Sequence, residues 1–229
     1  CFRFHEYDSG YFEGVAFGKY LGISQISNLA VIHNCTVDEF NTVWKSFFDF
    51  DTDYGRISSS LAKDDIMKEA ISFGGGIRIL KQDMFECIVS FIISQNNSIY
   101  NIERVVERIC ERYGTPIGIF NGKQRYAFPT PYQLSKATVE ELTALKCGYR
   151  AEYITGFTKA VANGEFDIEA LDKQTSDEAK EKLLAFKGIG NKVADCILLF
   201  GYHKFDVFPT DVWVKKAMAD LYSVDVKNI

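Results

Sequence analysis

At 229 residues, 47% hydrophobic and 25% charged, the chain can build two modest domains with real cores. No apolar run approaches the ~18 residues of a membrane span. Neither a span nor a secretory leader is expected, and the protein should work inside the cell. The net charge of -5 argues mildly against a polyanionic partner. A field follows the distribution of charge rather than its sum, however. Asp49, Asp51, Asp53, Asp64 and Asp65 lie early, whereas Lys182, Lys187, Lys192, Lys204, Lys215 and Lys216 gather late.

In chain order, residues 2–36 alternate short β-prone runs with turn signals, Asp8-Ser9-Gly10 being the clearest. They predict an antiparallel sheet. Thr36 or Asp38 then opens a helix whose Phe40, Val43, Trp44 and Phe47 form a core stripe. Two helices are predicted over 53–62 and 64–73, stopped by Gly74-Gly75-Gly76. A nearly all-apolar helix over 85–94 runs into Ser94-Gln95-Asn96-Asn97-Ser98, and another helix follows over 99–113. Residues 114–131, rich in glycine and proline, read as a loop. Thr138-Val139-Glu140-Glu141 has capping-box spacing, and Gly148-Tyr149-Arg150 reads as a step between helices ahead of a helix over 153–162.

The stretch 183–216 organises the rest. Gly188-Ile189-Gly190 breaks a helix, and Val193, Ile197 and Phe200 recur at helical spacing after it. The amides of such a turn face the positive end of the new helix, a seat for a phosphate. Lys192 lies in the first turn, where the dipole disfavours a cation; burial there would lower its pKa. Asp211, after Pro209-Thr210, is placed to cap the next helix. A neutral amine can attack an electrophilic carbon while a carboxylate stabilises the positive charge that develops. Taken singly, the lysine reads as a surface residue, the turn as a structural or DNA-binding hairpin, and the aspartate as a cap. Their conjunction is what points to chemistry.

The run Lys187-Gly188-Ile189-Gly190-Asn191-Lys192-Val193-Ala194-Asp195-Cys196, followed by Val207-Phe208-Pro209-Thr210-Asp211, resembles the helix–hairpin–helix and Gly/Pro/Asp loop of base-excision DNA glycosylases. Lys192 and Cys196, one turn apart, resemble its 8-oxoguanine glycosylase/AP lyase branch, as do Phe2-Arg3-Phe4, the segments 82–87 and 94–97, and Gly148-Tyr149-Arg150-Ala151. The fold so implied is α+β and mostly α. It has an N-terminal antiparallel sheet domain over 1–50 and a helical region over 51–229, with the helix–hairpin–helix at 177–200 and the aspartate loop at 201–212.

The resemblance implies Lys192 and Asp211 as catalytic residues and Cys196 against the flipped base. It also implies DNA contacts from Asn96, Asn97, Tyr149, Arg150, Gly188, Ile189, Gly190 and Val193, Arg150 holding a phosphate or the opposite base. The partner would be duplex DNA containing 8-oxoguanine, met by a monomer. No cofactor would serve the chemistry, though a monovalent cation could sit at the hairpin. Asn101 stands where the family has an arginine that reads the opposite cytosine, and Trp213 where it often has a phosphate-binding histidine.

The six cysteines, at 1, 35, 87, 110, 147 and 196, include no C-x-x-C pair, so zinc or iron–sulfur ligation is not expected and reduced thiols are. Cys1-Phe2-Arg3-Phe4 and Asn228-Ile229 both read as interior sequence, so further residues are expected at each end. They would carry the glycine carbonyl, glutamine and phenylalanine with which the family reads its lesion. Two other readings stay open: a non-catalytic helix–hairpin–helix DNA-binding module, and a glycosylase for another damaged base.

Overall fold

The computed structural model describes residues 2–27 and 29–225; Cys1 and Asn228-Ile229 lie outside that range. Four strands, β1 (Phe4–Asp8), β2 (Tyr11–Ala16), β3 (Lys19–Ile26) and β4 (Leu29–His33), pair in sequence order as an antiparallel meander. Thr36 caps the helical segment that follows through a reciprocal pair of bonds with Glu39. That segment runs through α1 (Val37–Glu39), a π-helical stretch (Phe40–Trp44) and α2 (Lys45–Phe47). Trp44 and Phe47 are buried with Ala16 and Leu21, so the aromatic stripe is core, as predicted.

The helices α3 (Tyr54–Leu61) and α4 (Asp65–Phe73) start at Asp53 and Asp64, whose carboxylates accept the amides of Arg56 and Met67. α5 (Met84–Ser94) buries eight of its eleven residues and forms the centre of the second, larger core. α6 (Ile99–Tyr113) starts at Ser98 and lays Ile102, Val105, Val106 and Ile109 against that core.

Residues 114–131 are not the loop the sequence predicts. β5 (Pro116–Phe120) and β6 (Lys123–Tyr126) form a hairpin turning on Asn121-Gly122, which leads to the short α7 (Pro131–Leu134). An Asn-Gly step between short strand runs is a hairpin signal, hidden here by the surrounding glycines and prolines. The hairpin fastens the two parts of the molecule together. Phe120 stacks on Tyr20 with ring centroids 4.1 Å apart, and the buried Glu13 carboxylate accepts from Tyr20 (2.7 Å), Asn121 and Arg125. Arg3 adds a second tie, donating to Glu107 and to the Tyr126 carbonyl, each at 2.6 Å.

α8 (Val139–Ala144), capped by Thr138, leads to α9 (Arg150–Ala162), which begins three residues earlier than predicted. A 3-10 turn (Glu169–Lys173) precedes α10 (Ser176–Leu184), α11 (Asn191–Tyr202) and α12 (Val212–Tyr222). α11 packs on α5 and α10, so the hairpin mouth is held by the main core.

Candidate active site and nucleic-acid interface

The turn between α10 and α11 is fixed by Gly188. Its φ of 90° favours glycine, and a Cβ there would run into the ring of Tyr153. Gly190 caps α11 with extended backbone and brings no side-chain bond. The first helical bond runs from the Ala194 amide to the Gly190 carbonyl (2.9 Å), so the first-turn amides of α11 keep their bonding capacity for a ligand. Nothing lies within 4 Å of a Cβ built on Gly190, so that side of the turn is open. An open N-terminus with unpaired amides suits an anion. Ile189 and Val193, expected at this interface, are 5% and 7% exposed. Their side chains anchor the hairpin in the core, leaving only main chain to meet a ligand.

Lys192, Cys196 and Phe200 occupy one face of α11, four residues apart. The Cys196 sulfur lies within the electrostatic reach of the Lys192 amine and of the Asp195 and Asp211 carboxylates. The three groups named from the sequence therefore converge. Burial pushes the Cys196 thiol up against the opposing pull of Lys192. It stays a neutral thiol near neutral pH. Lys192 itself is exposed, not buried, because the hairpin presents it at an open mouth.

Asp211 caps α12, its Oδ1 accepting the amides of Trp213 (2.9 Å) and Val214 (3.0 Å). Both bonds fall on one oxygen, and Oδ2 has no hydrogen bond among the described residues. Trp213, on the first turn of α12, is 72% exposed. Deeper on the lysine face, Phe200 stacks on Phe91 at 5.7 Å, and Phe2 meets Phe91 edge-on at 5.9 Å. Phe200 read from the sequence only as helix core. Its spacing of eight residues from Lys192 was the signal for a wall of the site.

The predicted wedge divides differently from the expectation. Asn96 is exposed with φ 45°, and its side chain makes no bond among the described residues. Asn97 is spent on its own loop: its Nδ2 donates to the Ile93 carbonyl (3.2 Å) and its Oδ1 accepts the Ser98 amide (3.0 Å). Tyr149 is 53% exposed, with its hydroxyl 3.4 Å from the Gln95 carbonyl.

Arg150, expected to face DNA, is 8% exposed and turns inward. It donates through Nε to the Gln95 carbonyl (2.8 Å) and through Nη2 to the carbonyls of Asn96 (2.9 Å) and Gln95. Nη1 reaches the Cys147 carbonyl at 3.4 Å. A planar fork matches this row of acceptors, so Arg150 clamps the Asn96 loop to the Tyr149 step. Asn101 is exposed on the first turn of α6, its amide capped by Ser98.

Residues 1–88 match the family described as "8-oxoguanine DNA glycosylase, N-terminal domain", and residues 89–228 match "HhH-GPD superfamily base excision DNA repair protein". The chain belongs to the 8-oxoguanine branch of the HhH-GPD superfamily. Among HhH-GPD proteins it is 34% identical to the N-glycosylase/DNA lyase of Saccharomyces cerevisiae, over 67% of this chain and 44% of that protein. It is 31% identical to the N-glycosylase/DNA lyase OGG1 of Arabidopsis thaliana, over 75% of this chain and 44% of that protein. The chain thus spans under half the length of these two curated relatives. The Clostridium acetobutylicum 8-oxoguanine glycosylase/lyase, solved with double-stranded DNA containing cytosine opposite 8-oxoG, superposes with a TM-score of 0.95 at 40% identity. That match covers 100% of this chain and 79% of the other. No helix among the described residues is long and apolar enough to cross a membrane.

Proposed function

We propose that this HhH-GPD chain removes 8-oxoguanine from duplex DNA and then nicks the abasic strand, working as a monomer wherever the cell keeps its DNA. The observation that carries the reading is the placement of Lys192 and Cys196 on one face of α11 at the open hairpin mouth, within electrostatic reach of the Asp211 cap of α12. The target nucleotide must leave the duplex, because its C1′ is out of reach inside the stack. A base entering beside Cys196 and Phe200 would displace water from Lys192, whose ammonium gives up a proton to solvent before it attacks. The Nζ lone pair then bonds C1′ as the glycosidic C–N bond breaks, and that bond's electrons leave with the base, which takes up a proton. The Asp211 carboxylate stabilises the oxocarbenium character of C1′. Loss of an Nζ proton and cleavage of the C1′–O4′ bond, with O4′ taking up a proton, open the sugar and give a Schiff base. Removal of a C2′ proton then expels the 3′-phosphate by β-elimination.

The first-turn amides of α11 would hold a backbone phosphate, and Asn96 and Tyr149 would fill the gap left in the stack. The Ile189 carbonyl accepts no backbone bond among the described residues, and such a hard oxygen fits a monovalent cation that would stiffen the turn. The chemistry itself runs on an amine and a carboxylate and calls for no metal.

Borohydride trapping tests the assignment. Wild type should be captured covalently on 8-oxoguanine duplex and Lys192→Gln should not. Equal capture of the two would show that the nucleophile lies elsewhere. Asp211→Asn keeps a capping side chain but loses the charge, so it should fold normally and release base slowly. Release of an alkylated base in preference to 8-oxoguanine would assign the pocket to another lesion.

A further inference from the structure

Three aromatic residues stand four apart on one face of α9: Tyr149 at its cap, then Tyr153 and Phe157. They form a ridge that ends on the α10–α11 turn. Tyr149 meets Tyr153 edge-on, with ring centroids 5.8 Å apart. Phe157 is buried and meets Phe186 edge-on at 5.1 Å, just ahead of the turn. Between them the half-buried Tyr153 lies against the main chain of the turn, so close to Gly188 that no Cβ fits between the two. Lys187, on the same turn, holds its ammonium 5.5 Å from the centre of the Tyr153 ring and 3.5 Å from a Glu152 carboxylate oxygen.

Phe157 and Tyr153 serve the turn differently. Phe157 closes the core beneath it. Tyr153 touches the exposed end of the ridge on one side and bare backbone on the other. Its hydroxyl makes no hydrogen bond among the described residues, so the ring makes these contacts. α11 starts at Asn191, three residues after Gly188, and Lys192 is its second residue. A displacement of the turn therefore carries the first-turn amides and the amine with it.

We infer that Tyr153 is a positioning residue, coupling the stacking of Tyr149 to the placement of the α10–α11 turn and, through it, of Lys192. The inference rests on the proposed glycosylase reading, in which Tyr149 helps to fill the gap left by the flipped nucleotide. Tyr149 is exposed, with Tyr153 against its ring on one side and the Arg150 guanidinium 4.5 Å from its centre. A ring in a close-packed row passes a displacement on rather than absorbing it. Pressed by DNA, Tyr149 bears on Tyr153, and Tyr153 bears on a glycine with no side chain to cushion it. Filling the gap and seating the amine at C1′ thus become one event, and the amine is placed only once the base has left the stack.

The test is a double-mutant cycle on single-turnover base release, with enzyme saturating over an 8-oxoguanine duplex. It compares wild type, Tyr153→Leu, Tyr149→Leu and the double variant. Tyr153→Phe, which keeps the ring, is the rescue control. Tyr153→Met, whose flexible chain fills irregular gaps, repeats the cycle should Tyr153→Leu not fold. Thermal melting and duplex affinity are measured for each. Expected for Tyr153→Leu are an affinity within about twofold of wild type and a saturating rate roughly tenfold lower, with Tyr153→Phe at the wild-type rate. The double variant should be no slower than the slower single variant, because the two rings act in series.

Losses that multiply in the double variant show the two rings to be independent and overturn the coupling. An unchanged saturating rate in Tyr153→Leu overturns it too, as does a Tyr153→Phe as slow as Tyr153→Leu. Failure of both Tyr153→Leu and Tyr153→Met to fold makes the residue a structural one and ends the inference. A wild type that releases no 8-oxoguanine defeats the glycosylase reading itself, whereas an active wild type with multiplying losses defeats the inference alone.

Discussion

Arg150 offers the sharpest test of how the loops at the proposed DNA face are built. It is 8% exposed, and its guanidinium serves the carbonyls of Gln95, Asn96 and Cys147. Arg150→Ala leaves those acceptors without their charged donor. Hydrogen bonds to charged groups contribute roughly 1.5–3 kcal/mol each. Simple addition overshoots here, since Asn96 is exposed and water can reach its carbonyl. A net loss of about 3 kcal/mol is expected, which lowers Tm by roughly 6–12 °C in a chain of this size. Arg150→Lys keeps the charge on a single ammonium that cannot span the row, so its melting should fall between the two. Both variants should expose residues 95–98 to proteolysis or hydrogen exchange and weaken base release through the loosened loop. The opposing view is that Arg150 touches DNA directly. It requires Arg150→Ala to melt within a degree or two of wild type while its salt slope for DNA drops by about 0.9. That result would refute the clamp.

Other expectations follow from the same geometry. Gly188→Ala should disrupt the turn, because the new Cβ strikes Tyr153 at a positive φ; Gly190→Ala meets open space and should fold normally but crowd the phosphate, so melting and duplex affinity should separate the two variants. Burial works against the Glu13 charge, but bonds from Tyr20 and Asn121 and the charge of Arg125 outweigh it and hold its pKa below the ordinary value. The stabilisation is therefore present above the unfolded pKa, about 4.3, and is lost as pH falls through the folded one; the Tm difference between wild type and Glu13→Gln should shrink below about pH 4, and a constant difference down to pH 2 would contradict this. Asn101 cannot make the charged bidentate contact of an arginine, so wild type should discriminate weakly among opposite bases; Asn101→Arg should raise the preference for cytosine by about 1–3 kcal/mol in a competition of four duplexes.

Local signals carried most of the fold. Thr36, Ser98, Thr138 and Asp211 cap helices where side-chain chemistry puts them, and the apolar run of α5 is as buried as its composition demands. The β5–β6 hairpin was hidden because its stability is tertiary: Phe120 rests on Tyr20 and Arg125 on Glu13, partners more than ninety residues away. Distance in sequence also disguised Arg150. A Gly-Tyr-Arg step looks like an exposed basic turn until the carbonyl 55 residues earlier is seen to fill its fork. Asn97 misled for the opposite reason, since its bonds are local and satisfy its own loop. The proposed catalytic set could be picked out because Lys192 and Cys196 lie on one helix and Asp211 announces itself as a cap.

The acidic composition is reconciled with the proposed polyanionic substrate by where the carboxylates stand. Several are paired within the fold: Glu107 with Arg3, Glu13 with Arg125, Asp195 with Lys180 at 2.7 Å. Asp64, in the early acidic group, sits at the far end of α12, where it accepts the Tyr222 hydroxyl at 3.2 Å. Asp211 caps the other end of that eleven-residue helix, which at 1.5 Å per residue is about 16 Å long. That separation is about twice the ~8 Å screening length at physiological salt. A phosphate at the hairpin mouth therefore responds to the first-turn amides of α11 and to Lys192, and hardly to the carboxylates around Asp64.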